Sequence, residues 1–120
     1  MRNTYLWLVQ LITGVLIAVL LGIHMVMQHL DAILSFFGFN INDPTSWQSM
    51  IERSREIIWA GIYIALLAVV LYHALNGLRN IILELAPSAQ TERIVTWVII
   101  AFGILVFIGA SYVPIALLSV

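Results

Sequence analysis

From Tyr5 to Gln28 the chain runs the width of a membrane without one Asp, Glu, Lys or Arg. The same holds from Ile57 to Leu78 and from Ile94 to Leu118. A hydrocarbon layer of ~30 Å takes about 20 apolar residues of helix. Each stretch reaches that length. Inside lipid no water satisfies the backbone, so the polar groups of a spanning segment must be paired within it. Helices are the economical answer. The expected fold is an all-α membrane protein with three transmembrane helices, about 5–28, 57–84 and 94–118, in a single domain over 1–120. A segment at about 31–56 is expected in the interface.

Composition agrees. The chain is 62% hydrophobic and 9% charged, where a soluble domain averages roughly 25% charged residues. Mean hydropathy is +1.06. So few charges cannot cover a water-exposed surface, and the lipid bilayer must be the solvent for much of the chain. The net charge is −1 and there is no basic face, which argues against nucleic acid as a partner. Cysteine is absent. That removes disulfides, thiolate metal sites and CxxCH haem attachment. The first apolar run is too long for a cleaved leader and lacks a small-x-small cleavage site.

The connections differ. Asp31 to Glu56 is long and mixed, and its DAILSFFGF stretch is apolar enough to lie in the interface or extend the first helix. Asp43-Pro44 reads as a helix start, with proline at the first helical position. A single helix from Pro44 to Ala86 would be ~64 Å long at 1.5 Å per residue, so SWQSMIERSREIIW would project beyond the bilayer or bend along it. Its charges Glu52, Arg53, Arg55 and Glu56 are expected to form a solvated face. The second connection is short and stops at Pro87, which makes the second and third helices antiparallel neighbours. Gly14, Ala18 and Gly22 recur every four residues, a stripe that lets another helix approach closely. Arg2, Arg79 and Arg93 fall on one side, Arg53 and Arg55 on the other. The positive-inside rule then puts the N-terminus in the cytoplasm, by a margin of one.

Ionisable groups inside a membrane span are costly and are functional candidates by default. His73 lies deep in the second stretch. Neutral imidazole is a ligand for metals and for haem iron; the plainer alternative is an interhelical hydrogen bond. Gly77 is one turn on and on the same face, so a flat macrocycle could lie against backbone. Asn76 and Asn80 share that face. Arg79 is nearer the surface and suits a carboxylate such as a haem propionate. His24 sits near the far end of the first stretch. His29 is five residues further, ~140° around the helix, so the two do not easily serve one centre. His29 reads as an interfacial polar residue beside Asp31. With Tyr5 and Arg79 taken as one boundary, His24 and His73 differ in depth by ~19 Å. They cannot share an iron. If both bind haem there are two haems, and each needs a further ligand from a partner helix.

The residues resemble a known family. His73-x3-Gly77-x-Arg79-Asn80-x3-Glu84 resembles the H-x3-G-x-R-H-x3-D stretch in membrane-anchor subunits of succinate dehydrogenase and fumarate reductase. In that family the first histidine is a haem b axial ligand, which maps to His73. TGVLIAVLLGIHM resembles the first helix of di-haem fumarate reductase anchors, where the histidine before methionine ligates the distal haem; this maps to His24. Other di-haem anchors carry the ligand in a QHL context, which would favour His29 in Gln28-His29-Leu30. Asn80 stands where the family has histidine and Glu84 where it has aspartate. The S-x3-H-R segment of the larger anchor, which contributes to a quinone site, is missing.

The resemblance implies a haem b-binding membrane-anchor subunit of succinate:quinone oxidoreductase, the smaller of two anchors. It would pack with a second membrane-anchor subunit into a helical bundle and share two haems b with it. Its other partners would be an iron–sulfur subunit and a flavoprotein subunit on the cytoplasmic side of the inner membrane, with quinone as the substrate of the complex. The cofactor-binding residues would be His73, His24, Arg79 and Gly77, and the haem iron ligands His73 and His24, with His29 the alternative to His24. Trp7 and Gln10 near the inner face are the candidate quinone contacts. No dinucleotide fingerprint or nucleophile constellation appears, so the chain is expected not to be catalytic alone. The alternatives are a haem b anchor of another membrane dehydrogenase and a non-redox small membrane protein. A transporter would favour mid-depth charges or broken helices.

Three spans with a cytoplasmic N-terminus make the two ends face opposite sides. Cysteines at Arg2 and Gln90 should label with an impermeant maleimide from the cytoplasm, and one at Val120 from the other side. Labelling of all three from one side would sink the three-span topology.

Overall fold

The computed structural model of the protein describes residues 2–86 and 88–119. Pro87, expected to end the second span, and Val120 lie outside the described residues, as does the Arg2 side chain. The described residues form helices α1 (Arg2–Gln28), α2 (Leu30–Phe36), α3 (Trp47–Ser54), α4 (Ile57–Leu85) and α5 (Ala89–Leu118). Three are long and apolar enough to cross a membrane: Thr4–Gln28, Ile57–Leu85 and Ala89–Leu118. The three expected spans are these helices.

Helix α4 is the common partner, packed on α1 along one side and on α5 along the other. Almost nothing else is enclosed. Among the described residues only Pro44, Ala60 and Ser111 are buried, and large apolar side chains such as Leu105 and Val98 point outward. In water such a surface would collapse; in lipid it is ordinary, because acyl chains are as apolar as leucine. Helices α4 and α5 come close at Gly103, where a Cβ would lie 2.9 Å from Leu75 Cδ1 and that leucine end would have to shift.

The turns show how the chain leaves and re-enters the membrane. Gly38 ends α2 at φ +87°, a conformation that glycine adopts without a Cβ penalty. The Gly38 N–H donates to Ser35 O at 3.0 Å and the Phe39 N–H to Leu34 O at 2.9 Å, the paired bonds of a Schellman motif. The Asp43 carboxylate then accepts from Thr45 N at 2.8 Å and Thr45 Oγ1 at 2.7 Å. Those two donors, the hydroxyl first, hold the Asp43 carboxyl below the usual carboxylate range.

Two expectations for this connection are corrected. The helix does not begin at Pro44. Ser46 caps α3 by accepting from Ser49 N, because the Asp43–Thr45 turn consumes the residues before it. Nor does one helix run through to Ala86. Glu56 is extended, with ψ 124°, and breaks the path between α3 and α4. Arg53 is the reason α3 folds back. Its Nε donates to Tyr63 Oη at 3.0 Å and its Nη2 to Pro44 O at 3.0 Å, with the guanidinium 6.0 Å from the Trp59 ring. Glu52, Arg55 and Glu56 are exposed as expected, but Arg53 is only half-exposed and turns inward.

At the other turn Ser88 caps α5 by accepting from Thr91 N at 3.1 Å. The polar residues Thr91–Arg93 thereby join the helix, and α5 starts earlier than the apolar run alone suggests. Arg79 ties α4 to this first turn. Its Nε donates to Thr96 Oγ1 at 2.8 Å and its Nη2 to Glu92 Oε1 at 3.1 Å.

Helix α1 is held to α4 by polar contacts within the spans. Gln10 Nε2 donates to His73 O at 3.0 Å, and Asn76 Nδ2 donates to Gln10 Oε1 at 2.8 Å. Interhelical hydrogen bonds in membranes average about 0.6 kcal/mol, and an orphaned amide adds to the loss. Gln10→Leu should therefore weaken the α1–α4 pair by roughly 1–2 kcal/mol, read by reversible unfolding in bicelles. Leu8→Ala, on an exposed face, should cost less.

Candidate functional site

The polar residues of the spans gather around His73. Its Nδ1 lies 3.1 Å from Thr13 Oγ1. Thr13 Oγ1 also donates to Gln10 O at 3.0 Å. Gln10, Thr13 and Gly14 come together because residues three and four apart share a helix face. His73, Asn76 and Gly77 repeat that spacing on α4. Two matching faces meet, each with a glycine that lets the backbones approach. A Cβ on Gly14 would lie 3.4 Å from His73 Cε1, and one on Gly77 would lie 3.2 Å from Gln10 Nε2.

His73 also lines a groove of about 440 Å³ with Trp7, Gln10, Leu11, Gly14, Val15 and Ala18. Apart from Gln10 and His73 its walls are apolar. The Gly14–Ala18 stretch of the small-residue stripe forms part of that wall.

Arg79 faces elsewhere. With Tyr72, Asn76 and Thr96 it forms the polar side of a larger, mainly apolar cavity of about 610 Å³ between α4 and α5. His73 and Arg79 thus line different cavities. Gly77 does not present open backbone, since the Gln10 amide sits against it. Asn76 is bonded to Gln10 and Asn80 is exposed. Gln10 is an interhelical tie and Trp7 is exposed, and both line the His73 groove.

His24 lies further along the same seam. Its ring meets Tyr63 edge-on, with centroids 6.0 Å apart at 83°, and its Nε2 is 3.4 Å from Gln28 Nε2. The contacts of Thr13 with His73 and of Gln10 with Asn76 fix the antiparallel register. His24 lies eleven residues along α1 from Thr13, which is ~16 Å at 1.5 Å per residue. The sequence ruler gave ~19 Å because it set Tyr5 level with Arg79. With Gln10 opposite Asn76, Tyr5 falls about two residues beyond Arg79. The conclusion survives the correction: no single ion can be ligated by both rings.

His29 is exposed at the joint between α1 and α2. Among the described residues no three His, Asp or Glu side chains converge as a metal cluster. Sequence reasoning missed Thr13. The available signal was Gln10-x2-Thr13-Gly14, the only polar pair at helical spacing in the first half of that span.

The family model for the succinate dehydrogenase/fumarate reductase transmembrane subunit matches residues 2–110. The chain is similar to the succinate dehydrogenase hydrophobic membrane anchor subunit of Archaeoglobus fulgidus, 32% identical over 78 residues, or 65% of this chain and 59% of that protein. It is also similar to the protein of the same name from Thermoplasma acidophilum, 25% identical over 84 residues, or 70% of this chain and 62% of that protein. The chain thus spans about three fifths of the length of these curated relatives. No solved structure gives a significant match.

The Gly14 contact gives a local check on the site. Gly14→Val should push the His73 ring away from Thr13 and shift its ring resonances. Gly22→Val, with nothing within 4 Å of its Cβ position, should leave them in place. Equal effects of the two substitutions would count against the described approach.

Proposed function

The chain belongs to the succinate dehydrogenase/fumarate reductase transmembrane subunit family, and on that basis we propose that it is a haem b-binding anchor subunit of succinate:quinone oxidoreductase. It serves electron transfer from iron–sulfur clusters to quinone and is not catalytic alone. The observation that carries the reading is His73: an imidazole inside a span, bonded at Nδ1 to Thr13, on the wall of a groove that Gly14 and Ala18 also line. These features suit a histidine that would hold a haem iron. The ring is oriented, one nitrogen remains for a metal, and Gly14 and Ala18 offer a low wall to a flat ring.

When bound, a b-type haem supplies one-electron transfer at its iron. The chain's part is to bind and to orient. His73 and His24 are the iron ligands, at two depths, with His29 the alternative to His24. The ~16 Å between the His24 and His73 levels calls for two haems, and a second anchor subunit supplies the missing ligands. Arg79 lines the α4–α5 cavity and not the His73 groove, so it is assigned to a propionate that would reach past Asn76, which lines that cavity too. A guanidinium has five N–H donors, so its bonds to Thr96 and Glu92 leave donors for a second carboxylate. Gly77 contributes by admitting Gln10, which holds α1 against the ligand helix.

The soluble partners are an iron–sulfur subunit and a flavoprotein subunit. The location is the inner, cytoplasmic membrane, with the N-terminus in the cytoplasm. The chain's apolar outer surface suits a second helical subunit as well as lipid. The rival reading takes the Thr13–His73 contact as an interhelical tie alone.

Haem content per flavin in the purified complex separates the two. His73→Ala should remove one haem b. His24→Ala should remove the other, with a separate midpoint, while His29→Ala leaves both. Arg79→Gln should alter the His73 haem more mildly. An unchanged spectrum in His73→Ala returns that residue to the role of a tie. Loss of the second haem in His29→Ala, in place of His24→Ala, would move the distal ligand to His29.

A further inference from the structure

We infer that Thr13 is the positioning residue of His73: it fixes the ring as the Nδ1–H tautomer and so presents Nε2 as the nitrogen that ligates. The argument begins with one proton. A threonine hydroxyl carries a single hydrogen and can accept besides. Thr13 Oγ1 lies within bonding distance of two groups, Gln10 O at 3.0 Å and His73 Nδ1 at 3.1 Å. The carbonyl can only accept. If the hydroxyl gives its proton to Gln10 O, its lone pair faces Nδ1, and Nδ1 must donate. Two hydrogen bonds form, in a relay from the ring through Thr13 to the α1 backbone. If the hydroxyl instead turns to Nδ1, the bond to Gln10 O is lost and only one remains. The second arrangement also puts a proton on Nε2. The other residues lining the groove beside His73 are apolar except Gln10, and both ends of the Gln10 amide are already bonded to α4. A donor left without an acceptor in lipid is costly. In the Nδ1–H form both the Thr13 hydroxyl proton and the ring proton have an acceptor.

Gly14 lies against the ring, where a Cβ would be 3.4 Å from His73 Cε1. Its missing side chain leaves the ring edge at Cε1 close to the α1 backbone. The ring is then held by a hydrogen bond on one atom and by packing on the next.

The functional half of this inference rests on the haem reading. Histidines that bind metals donate their other ring N–H to an oxygen, which fixes the tautomer and raises the basicity of the ligating nitrogen; losing such a partner costs ~10–100-fold in metal affinity. Thr13 takes that place for His73. Its effect is sharpened because its own proton is committed to a carbonyl, which leaves the oxygen richer toward Nδ1.

The test has two arms. In the first, the full chain carrying 15N-histidine is reconstituted in micelles without haem. His73 should give a protonated Nδ1 and a bare Nε2, and Thr13→Val should abolish that preference. A protonated Nε2 in the unsubstituted chain would overturn the assignment. In the second, the assembled complex carries Thr13→Val or Thr13→Ser. The valine variant keeps the shape and removes the hydroxyl. It should weaken haem retention by ~10-fold or more and raise the midpoint of that haem alone. The serine variant should restore both. If His73→Ala strips the haem while Thr13→Val changes neither tautomer nor midpoint, the positioning role falls and the haem reading stands. If His73→Ala leaves the haem in place, the functional half falls. Failure of the serine variant to restore the valine defect would reduce Thr13 to a packing residue and overturn the relay.

Discussion

Water is missing from the interior of a bilayer, and most of what is specific in this protein follows from that. A polar side chain in a span has no solvent to fall back on, so it must find a partner in protein. Gln10, Thr13, His73 and Asn76 find theirs in one another. Apolar packing offers little to align two lipid-facing helices, because acyl chains satisfy leucine as well as another helix does. The hydrogen bonds therefore set the register of α1 on α4, and the register sets where each histidine lies.

On the other flank the same constraint acts through a charge. Arg79 is near the end of α4 and is paired with Glu92 and Thr96 from the first turns of α5. At the opposite end Arg53 is drawn in by Tyr63 and by the Pro44 carbonyl. Neither arginine is left as a bare charge against lipid, and each closes a connection between elements. The amphipathic connection is shaped by these bonds more than by its own helix propensity.

The spans were legible because length and the absence of charge leave a backbone in lipid little choice. That His73 needs a partner in protein was legible for the same reason: an ionisable group at that depth is costly. What escaped depends on which residues meet. The break at Glu56 could not be read from local pattern, since SWQSMIERSREIIW is helical in character on both sides of it; the Arg53 contacts decide the fold-back. Thr13 escaped because a threonine in an apolar helix commonly bonds its own backbone, as this one also does. Its second bond, to a ring sixty residues away in sequence, exists only once α4 is alongside. Gly77 read as open backbone until Gln10 arrived from the other helix.

That dependence has a consequence for biogenesis. The partners of Gln10 and Thr13 lie 60 to 66 residues further along the chain. At a synthesis rate of roughly 5–20 residues per second, α1 is complete several seconds before α4 exists. Throughout that interval it is an apolar helix with an amide and a hydroxyl that have no tertiary partner. A helix released into lipid before α4 emerges carries that cost until its partner arrives. The first helix made is thus among the last to reach its final register, which waits on residues 60 to 66 positions further along the chain.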